Sequence, residues 1–133
     1  MTLDANSKEL LDAARNAAAH SYSPYSKFRV GAAVRSAGMI FVGTNVENAS
    51  YGLTMCAERV AIFSALAAGN RSIDAIAISC VDANPNDPTN MKMPCGACRQ
   101  VIREFAASQT AIVVDGVGTY SLDELLPMPF RLR

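Results

Sequence analysis

A continuous apolar run, AIAISCV at residues 75–81, lies near the middle of the chain and contains neither proline nor glycine. A run of this length and composition is typical of a buried strand. On both sides of it, apolar residues recur at helical spacing, over about 55–68 and about 94–107. We therefore predict a buried strand near 73–82 that follows one helix in the chain and precedes another.

Working outward, the same periodicity predicts a helix near 7–20, strands near 29–35 and 39–45, and a strand at 111–114. The segment 117–120 is a candidate for a fifth strand, and a short final helix is predicted from Leu122. Turn-forming residues at 82–90 indicate an exposed loop. The alternation of strands and helices predicts the α/β class, with a mixed sheet covered by helices on both faces. A length of 133 residues with 50% hydrophobic content predicts one domain over 1–133.

The helix before the central strand begins near the tripeptide Cys56-Ala57-Glu58. Thr54 is the predicted N-cap, and Gly69 marks the end of the helix. Cys56 therefore lies at a helix start, where backbone N–H groups favour a negatively charged thiolate.

The helix after the central strand opens on the sequence PCGAC at 94–98. Pro94 is predicted at the first helical position, so that Cys95 and Cys98, three residues apart, fall on one face. Zinc takes four tetrahedral ligands, and a site with three protein ligands keeps its fourth position for water. With Cys56 as the third sulfur, the sequence predicts a catalytic zinc site.

Glu58 is predicted beside the zinc-bound water and not as a ligand, because residues two apart do not share a helix face with Cys56. Three thiolates make the zinc centre negative, which weakens its ability to acidify water unless a cation lies nearby. Arg59 and Arg99 are the candidate cations, and Arg59 is preferred. Gln100 is a candidate hydrogen-bond donor to the same centre.

Two other uses of the cysteines stay open on the motif alone. Cys80 could supply a fourth sulfur, which would make a closed structural zinc domain whose function is to bind a partner or nucleic acid. Its place in an apolar run indicates instead a small buried hydrophobe. A redox pair of Cys95 and Cys98 would leave Cys56 and Glu58 unexplained.

Four segments carry a resemblance to a known family: YSKFRVGA (25–32), NVENASY (45–51), CAER (56–59) and PCGACRQV (94–101). The chain resembles the small, homotetrameric, zinc-dependent cytidine deaminases from about Tyr22 to Phe130. The last two segments alone are typical of the wider deaminase superfamily. The resemblance implies a three-layer α/β/α sandwich with a mixed five-stranded sheet.

The resemblance implies that Cys56, Cys95 and Cys98 bind one Zn²⁺ per subunit and that Glu58 moves protons. Zinc-bound hydroxide would attack C4 of cytosine while Glu58 delivers a proton to ring N3. The products would be uridine or 2′-deoxyuridine and ammonia. The backbone N–H of Ala57 matches the family's donor to the pyrimidine carbonyl oxygen.

The resemblance also implies the substrate contacts. Asn45 and Glu47 would hold the ribose, chiefly its 3′-hydroxyl, so both cytidine and 2′-deoxycytidine would be substrates; without the resemblance they read as ordinary loop residues. Phe28 matches the aromatic on the pyrimidine face. Phe130 matches one supplied by a neighbouring subunit, and Tyr51 a residue at a subunit contact. Each active site in the homotetramer would then be completed by another chain.

Composition limits the partners. The chain has 12 Lys plus Arg and 12 Asp plus Glu, so its formal charge is zero. It also has no long basic run that would bind a phosphate backbone, which favours a free nucleoside over a nucleic acid as substrate. No apolar run is long enough to predict a membrane span, and the amino-terminal segment is amphipathic and unlike a secretory signal. Without export features, the four cysteines are expected to be reduced thiols, which favours the cytoplasm. The expected role is pyrimidine salvage. A deaminase of the nucleoside antibiotic blasticidin S is the alternative, although Phe28, Asn45 and Glu47 favour cytidine.

Overall fold

The computed structural model describes residues 3–132, which form a mixed five-stranded sheet. The strands are β1 (Val30–Ser36), β2 (Met39–Thr44), β3 (Ile73–Cys80), β4 (Ala106–Val114) and β5 (Gly118–Ser121). Their order is β2-β1-β3-β4-β5; β3 and β4 run parallel, and the other neighbours are antiparallel. The predicted run at 75–81 is the central strand β3, and the considered fifth strand is present.

Within residues 3–132, four α-helices cover the two faces of this sheet. They are α1 (Ala5–Ala17), α2 (Ala57–Ala67), α3 (Gly96–Phe105) and α4 (Leu122–Leu125). Side chains of β3 alternate between the faces: Ala77 packs with α1, whereas Ile76 and Ile78 belong to the core shared with the other three helices. The predicted three-layer α/β/α arrangement is confirmed.

Glycines allow two helices to approach the sheet closely. A Cβ atom on Gly31 in β1 would lie 1.9 Å from the carbonyl oxygen of Ala14 in α1. A Cβ atom on Gly43 in β2 would lie 2.3 Å from the backbone nitrogen of Ala61 in α2. The glycine in β2 therefore sets the depth at which α2 packs against the sheet.

The helix starts differ from the predicted ones. Cys56 itself is the N-cap of α2, and Cys95 is the N-cap of α3, so the N-cap prediction for Thr54 and the first-position prediction for Pro94 are wrong. Both cap residues have extended backbone angles, and neither side chain makes a capping hydrogen bond. Their sulfurs are therefore available to a metal beyond the two helix ends.

The strand β4 begins at Ala106, directly after α3, and not at residue 111 as predicted. Its first part pairs with β3 only through Ala106 and Ile73 before the register shifts at a bulge. Small and polar residues in this part lack the apolar pattern that would have predicted a strand. Turns and the 3₁₀-helix Thr89–Met91 make up the predicted loop after β3. Within residues 3–132, no helix has the length and apolar character needed to cross a membrane.

Candidate functional site

The sulfurs of Cys56, Cys95 and Cys98 converge although two of their positions are 39 residues apart in the chain. All three lie within 4.8 Å of one another. The Cys56–Cys95 distance is 3.9 Å and the Cys95–Cys98 distance 3.5 Å. A tetrahedral zinc ion with Zn–S bonds of about 2.3 Å requires sulfurs about 3.8 Å apart. The arrangement therefore fits one zinc ion per chain with one coordination position open.

Arg59 supplies the positive charge at this group. Its Nη2 atom lies 3.3 Å from the sulfur of Cys56. A hydrogen bond from Cys98, with a further contribution from Arg59, lowers the pKa of the Cys56 thiol to about 5. The same sulfur neighbours and burial raise the pKa of Cys98. The group thus carries a thiolate at neutral pH even before a metal neutralises it.

The two other side chains considered for this centre have different partners. Arg99 donates to the backbone carbonyls of Pro94, at 2.8 Å, and Leu125, at 2.7 Å, which joins the start of α3 to the end of α4. The amide of Gln100 donates to the carbonyl oxygen of Phe130 at 3.1 Å. A contact of Gln100 with the metal centre stays a prediction.

Glu58 lies in the first turn of α2 and is 4% exposed. Burial raises the pKa of its carboxyl group to about 7. A carboxyl group in this range can both hold and release a proton near neutral pH, which is what a general acid and base must do.

A cavity of about 370 Å³ opens over Cys56, Cys95 and Glu58, while Cys98 lies buried behind it. It brings together the predicted substrate residues Phe28, Asn45, Glu47, Tyr51 and Ala57 with Cys56, Glu58 and Cys95. The rest of the wall was not predicted to contact a ligand; it consists of Ser26, Val30, Thr54, Ile78, Cys80, Met91, Lys92 and Met93.

Part of that wall had a local signal in the sequence. Met91, Lys92 and Met93 directly precede the segment that carries Cys95, so their nearness in sequence could have placed them beside the metal group. Cys80 had no such signal. It lies outside the group of three sulfurs, and its thiol donates to the carbonyl oxygen of Lys92 over 3.9 Å.

Phe130 does not line this cavity. It is 68% exposed and borders a separate groove between α3 and the carboxyl-terminal segment. Tyr51 lines the cavity but is 63% exposed. Contact of either residue with a ligand, and the neighbouring subunit predicted to supply Phe130, stay predictions.

Glu47 is 4% exposed and accepts hydrogen bonds from the chain's own backbone. Its Oε1 accepts from the backbone nitrogens of Tyr25, at 3.0 Å, and Ser26, at 3.1 Å, and its Oε2 accepts from the Ser26 hydroxyl. The hydroxyl of Ser26 is the main cause that lowers the pKa of Glu47. This carboxylate is therefore ionised and held in one orientation.

Asn45 is used in the same way. Its Oδ1 accepts from the backbone nitrogen of Val30 at 2.9 Å and from the Ser21 hydroxyl. Its Nδ2 donates to the carbonyl oxygen of Phe28 at 2.8 Å. Asn45 thus fixes the segment that carries Phe28 into the cavity, a structural role that its local sequence does not predict.

The sheet, the three sulfurs and the buried carboxylate define a zinc-binding α/β protein built for hydrolytic chemistry. A family model described as "Cytidine and deoxycytidylate deaminase zinc-binding region" matches residues 4–114. The chain therefore belongs to the cytidine and deoxycytidylate deaminase family.

Individual relatives agree with this assignment. A cytidine deaminase of Halalkalibacterium halodurans is 42% identical over 115 residues, 83% of each chain. A probable cytidine deaminase of Dictyostelium discoideum is 43% identical over 128 residues, 92% of this chain and 84% of that protein. The crystal structure of a cytidine deaminase from Burkholderia pseudomallei superposes with a TM-score of 0.82 at 44% identity, covering 98% of this chain and 100% of that one.

Proposed function

We propose that this protein, as a single domain over 1–133, is a zinc-dependent deaminase that converts cytidine and 2′-deoxycytidine to uridine and 2′-deoxyuridine with release of ammonia. The observation that carries the proposal is that Cys56 and Cys95 of the three-sulfur group, together with buried Glu58, line the same cavity as Asn45 and Glu47. The relatives' names support cytidine as the substrate.

The chain's own residues perform the proton transfers. A zinc ion held by Cys56, Cys95 and Cys98 supplies, when bound, a Lewis acid that makes water a nucleophile at neutral pH. Glu58 takes a proton from the attacking water and delivers it to ring N3 as the new C4–O bond forms. It then takes the proton of the new C4 hydroxyl and transfers it to the exocyclic nitrogen; the C4–N bond breaks as the C4 carbonyl forms, and ammonia leaves.

Phe28, Ala57, Asn45 and Glu47 would orient the nucleoside. The Phe28 ring packs on the pyrimidine, the Ala57 N–H donates to the carbonyl oxygen, and the two polar residues hold the 3′-hydroxyl. All four line the cavity, and both polar residues have fixed orientations. A site that anchors the 3′-hydroxyl accepts either sugar.

A homotetramer is part of this proposal, with Phe130 supplied to a neighbouring site and Tyr51 at the contact. The support is their exposure within one chain, together with the position of Phe130 outside the cavity of its own chain. We further propose a cytoplasmic role in pyrimidine salvage, with a free nucleoside and neither nucleic acid nor membrane as partner; the formal charge of zero supports the nucleoside.

The test is incubation of the zinc-replete protein with cytidine, 2′-deoxycytidine, cytidine monophosphate and blasticidin S, following the ultraviolet change on loss of the amine. We expect turnover of the first two. Conversion of the antibiotic alone would change the substrate, and no conversion of any would favour the structural zinc domain.

Glu58→Gln is the matching variant. It should keep its zinc and lose activity by about 10²- to 10⁴-fold, the usual contribution of general acid–base catalysis. The control is Glu9→Gln, because the Glu9 side chain is 64% exposed and pairs with Arg35 on the α1 side of the sheet. Full activity of a zinc-loaded Glu58→Gln protein would contradict the proposed role.

A further inference from the structure

Ser26 connects two residues of the cavity that are distant in sequence. Its backbone nitrogen and its hydroxyl donate to different oxygens of Glu47, and its hydroxyl oxygen accepts the backbone N–H of Phe28 at 3.0 Å. Lys27, between them, has a φ of 59°, in the left-handed region that a non-glycine residue rarely adopts. The tight turn around Ser26 therefore joins the carboxylate to the aromatic side chain.

The hydrogen bonds leave Glu47 little capacity for a ligand. An ionised carboxylate has about four lone-pair sites, two on each oxygen. Two backbone N–H groups use both sites on Oε1, and the hydroxyl of Ser26 uses one on Oε2. Among the described residues, one acceptor site on Oε2 thus stays available to a ligand.

Asn45 is limited in a complementary way. Both lone pairs of its Oδ1 are used by Val30 and Ser21, and one N–H of its Nδ2 is used by Phe28. Within residues 3–132 this leaves one donor on Asn45 beside one acceptor on Glu47, and both side chains line the cavity. A single hydroxyl group, which donates one hydrogen bond and accepts another, satisfies both.

We propose that Ser26 is a positioning residue that orients Glu47 so that the cavity reads one sugar hydroxyl. The inference deepens the proposed function and rests on it, since it takes the sugar of a nucleoside as the group that Asn45 and Glu47 receive. Without the Ser26 hydroxyl, Oε2 has two open acceptor sites and the Phe28 N–H has no acceptor. The carboxylate then no longer distinguishes the hydroxyl from water.

The experiment compares cytidine with 2′,3′-dideoxycytidine, which lacks the 2′- and 3′-hydroxyls, in the wild type and in Ser26→Ala. Hydrogen bonds to a charged group correspond to about 10- to 100-fold in affinity. We expect Ser26→Ala to lose about this factor in kcat/KM for cytidine, chiefly through KM. The loss for the dideoxy substrate should be smaller by ~5-fold or more. Ser26→Thr keeps the hydroxyl group, and residue 26 is exposed, so the added methyl group has room. This variant should restore the wild-type kcat/KM for cytidine.

An equal loss on both substrates, or no recovery in Ser26→Thr, would overturn the inference, because a general folding defect does not depend on the sugar. Calorimetric binding of uridine and 2′,3′-dideoxyuridine to the same proteins separates this result from failure of the proposed function. If the protein shows no turnover but binds uridine more tightly than 2′,3′-dideoxyuridine only when Ser26 is present, the inference holds and the proposed deaminase activity is contradicted. A wild type that binds both equally would overturn the inference.

Discussion

Replacing Gly43 by alanine tests how strictly the packing of α2 controls the metal site. The new Cβ would lie 2.3 Å from the nitrogen of Ala61, 2.7 Å from the oxygen of Ala57 and 2.9 Å from the carbonyl carbon of Val60. All three are backbone atoms of one helix, so no side-chain rotation relieves the contact. Since ordinary contacts begin at 3.4 Å, α2 must move away from β2 by about 1 Å.

That movement separates the two halves of the site. Cys56 and Glu58 move with α2, whereas Cys95 and Cys98 stay on α3. The sulfurs then no longer match a tetrahedral zinc ion. We expect zinc loss to a chelator, a fall in kcat/KM of about 100-fold, and a free energy of unfolding lower by about 1–3 kcal/mol. The measurements are zinc content after dialysis, steady-state kinetics and urea unfolding.

Two other glycines provide controls. Gly52→Ala should change little, because a Cβ there meets nothing within 4 Å. Gly31→Ala has a more severe clash, at 1.9 Å from the oxygen of Ala14, but it displaces α1, which carries no residue of the site. It should lose stability while its folded fraction keeps zinc. A Gly43→Ala protein with wild-type zinc retention and kcat/KM within about twofold would refute this reasoning.

Two further predictions concern the metal group and the loop after β3. Cys98→Ala should lose zinc, whereas Cys80→Ala should keep one ion per chain because Cys80 lies outside the sulfur group; zinc analysis decides, and loss from both would favour a four-cysteine site. Arg29 and Asp82 form an ion pair at 2.8 Å in which the Arg29 side chain is 49% exposed. Because such an exposed pair contributes little, Asp82→Asn should lower the free energy of unfolding at neutral pH by no more than about 1 kcal/mol. Hydrogen bonds from Arg29 lower the pKa of Asp82 to about 2, so this contribution is present above the unfolded pKa and is lost as the pH falls towards 2. Urea unfolding from neutral to acidic pH should show the difference between variant and wild type closing; a constant difference would contradict the assignment.

Some of this fold and site follows from local sequence. The apolar run at 75–81 predicted β3, because residues in a strand buried on both faces show no alternation. The spacing of Cys95 and Cys98 predicted two sulfurs on one side of a helix start, since neighbours three apart share a face. The predicted helix starts were less accurate. Thr54 and Pro94 match common patterns at helix starts, but Cys56 and Cys95 occupy the N-cap positions in the structure.

The sequence by itself therefore determined the α/β class, the central strand and the identity of the groups able to bind a metal, because periodicity and spacing act over one helical turn or a few strand residues. Only the tertiary structure brought Cys56 close to Cys95, placed Lys92 in the cavity wall and formed the hydrogen bond from the Ser26 hydroxyl to Glu47. These contacts depend on how deeply helices pack on the sheet and on which backbone N–H groups need acceptors after the chain folds. No local pattern encodes either quantity.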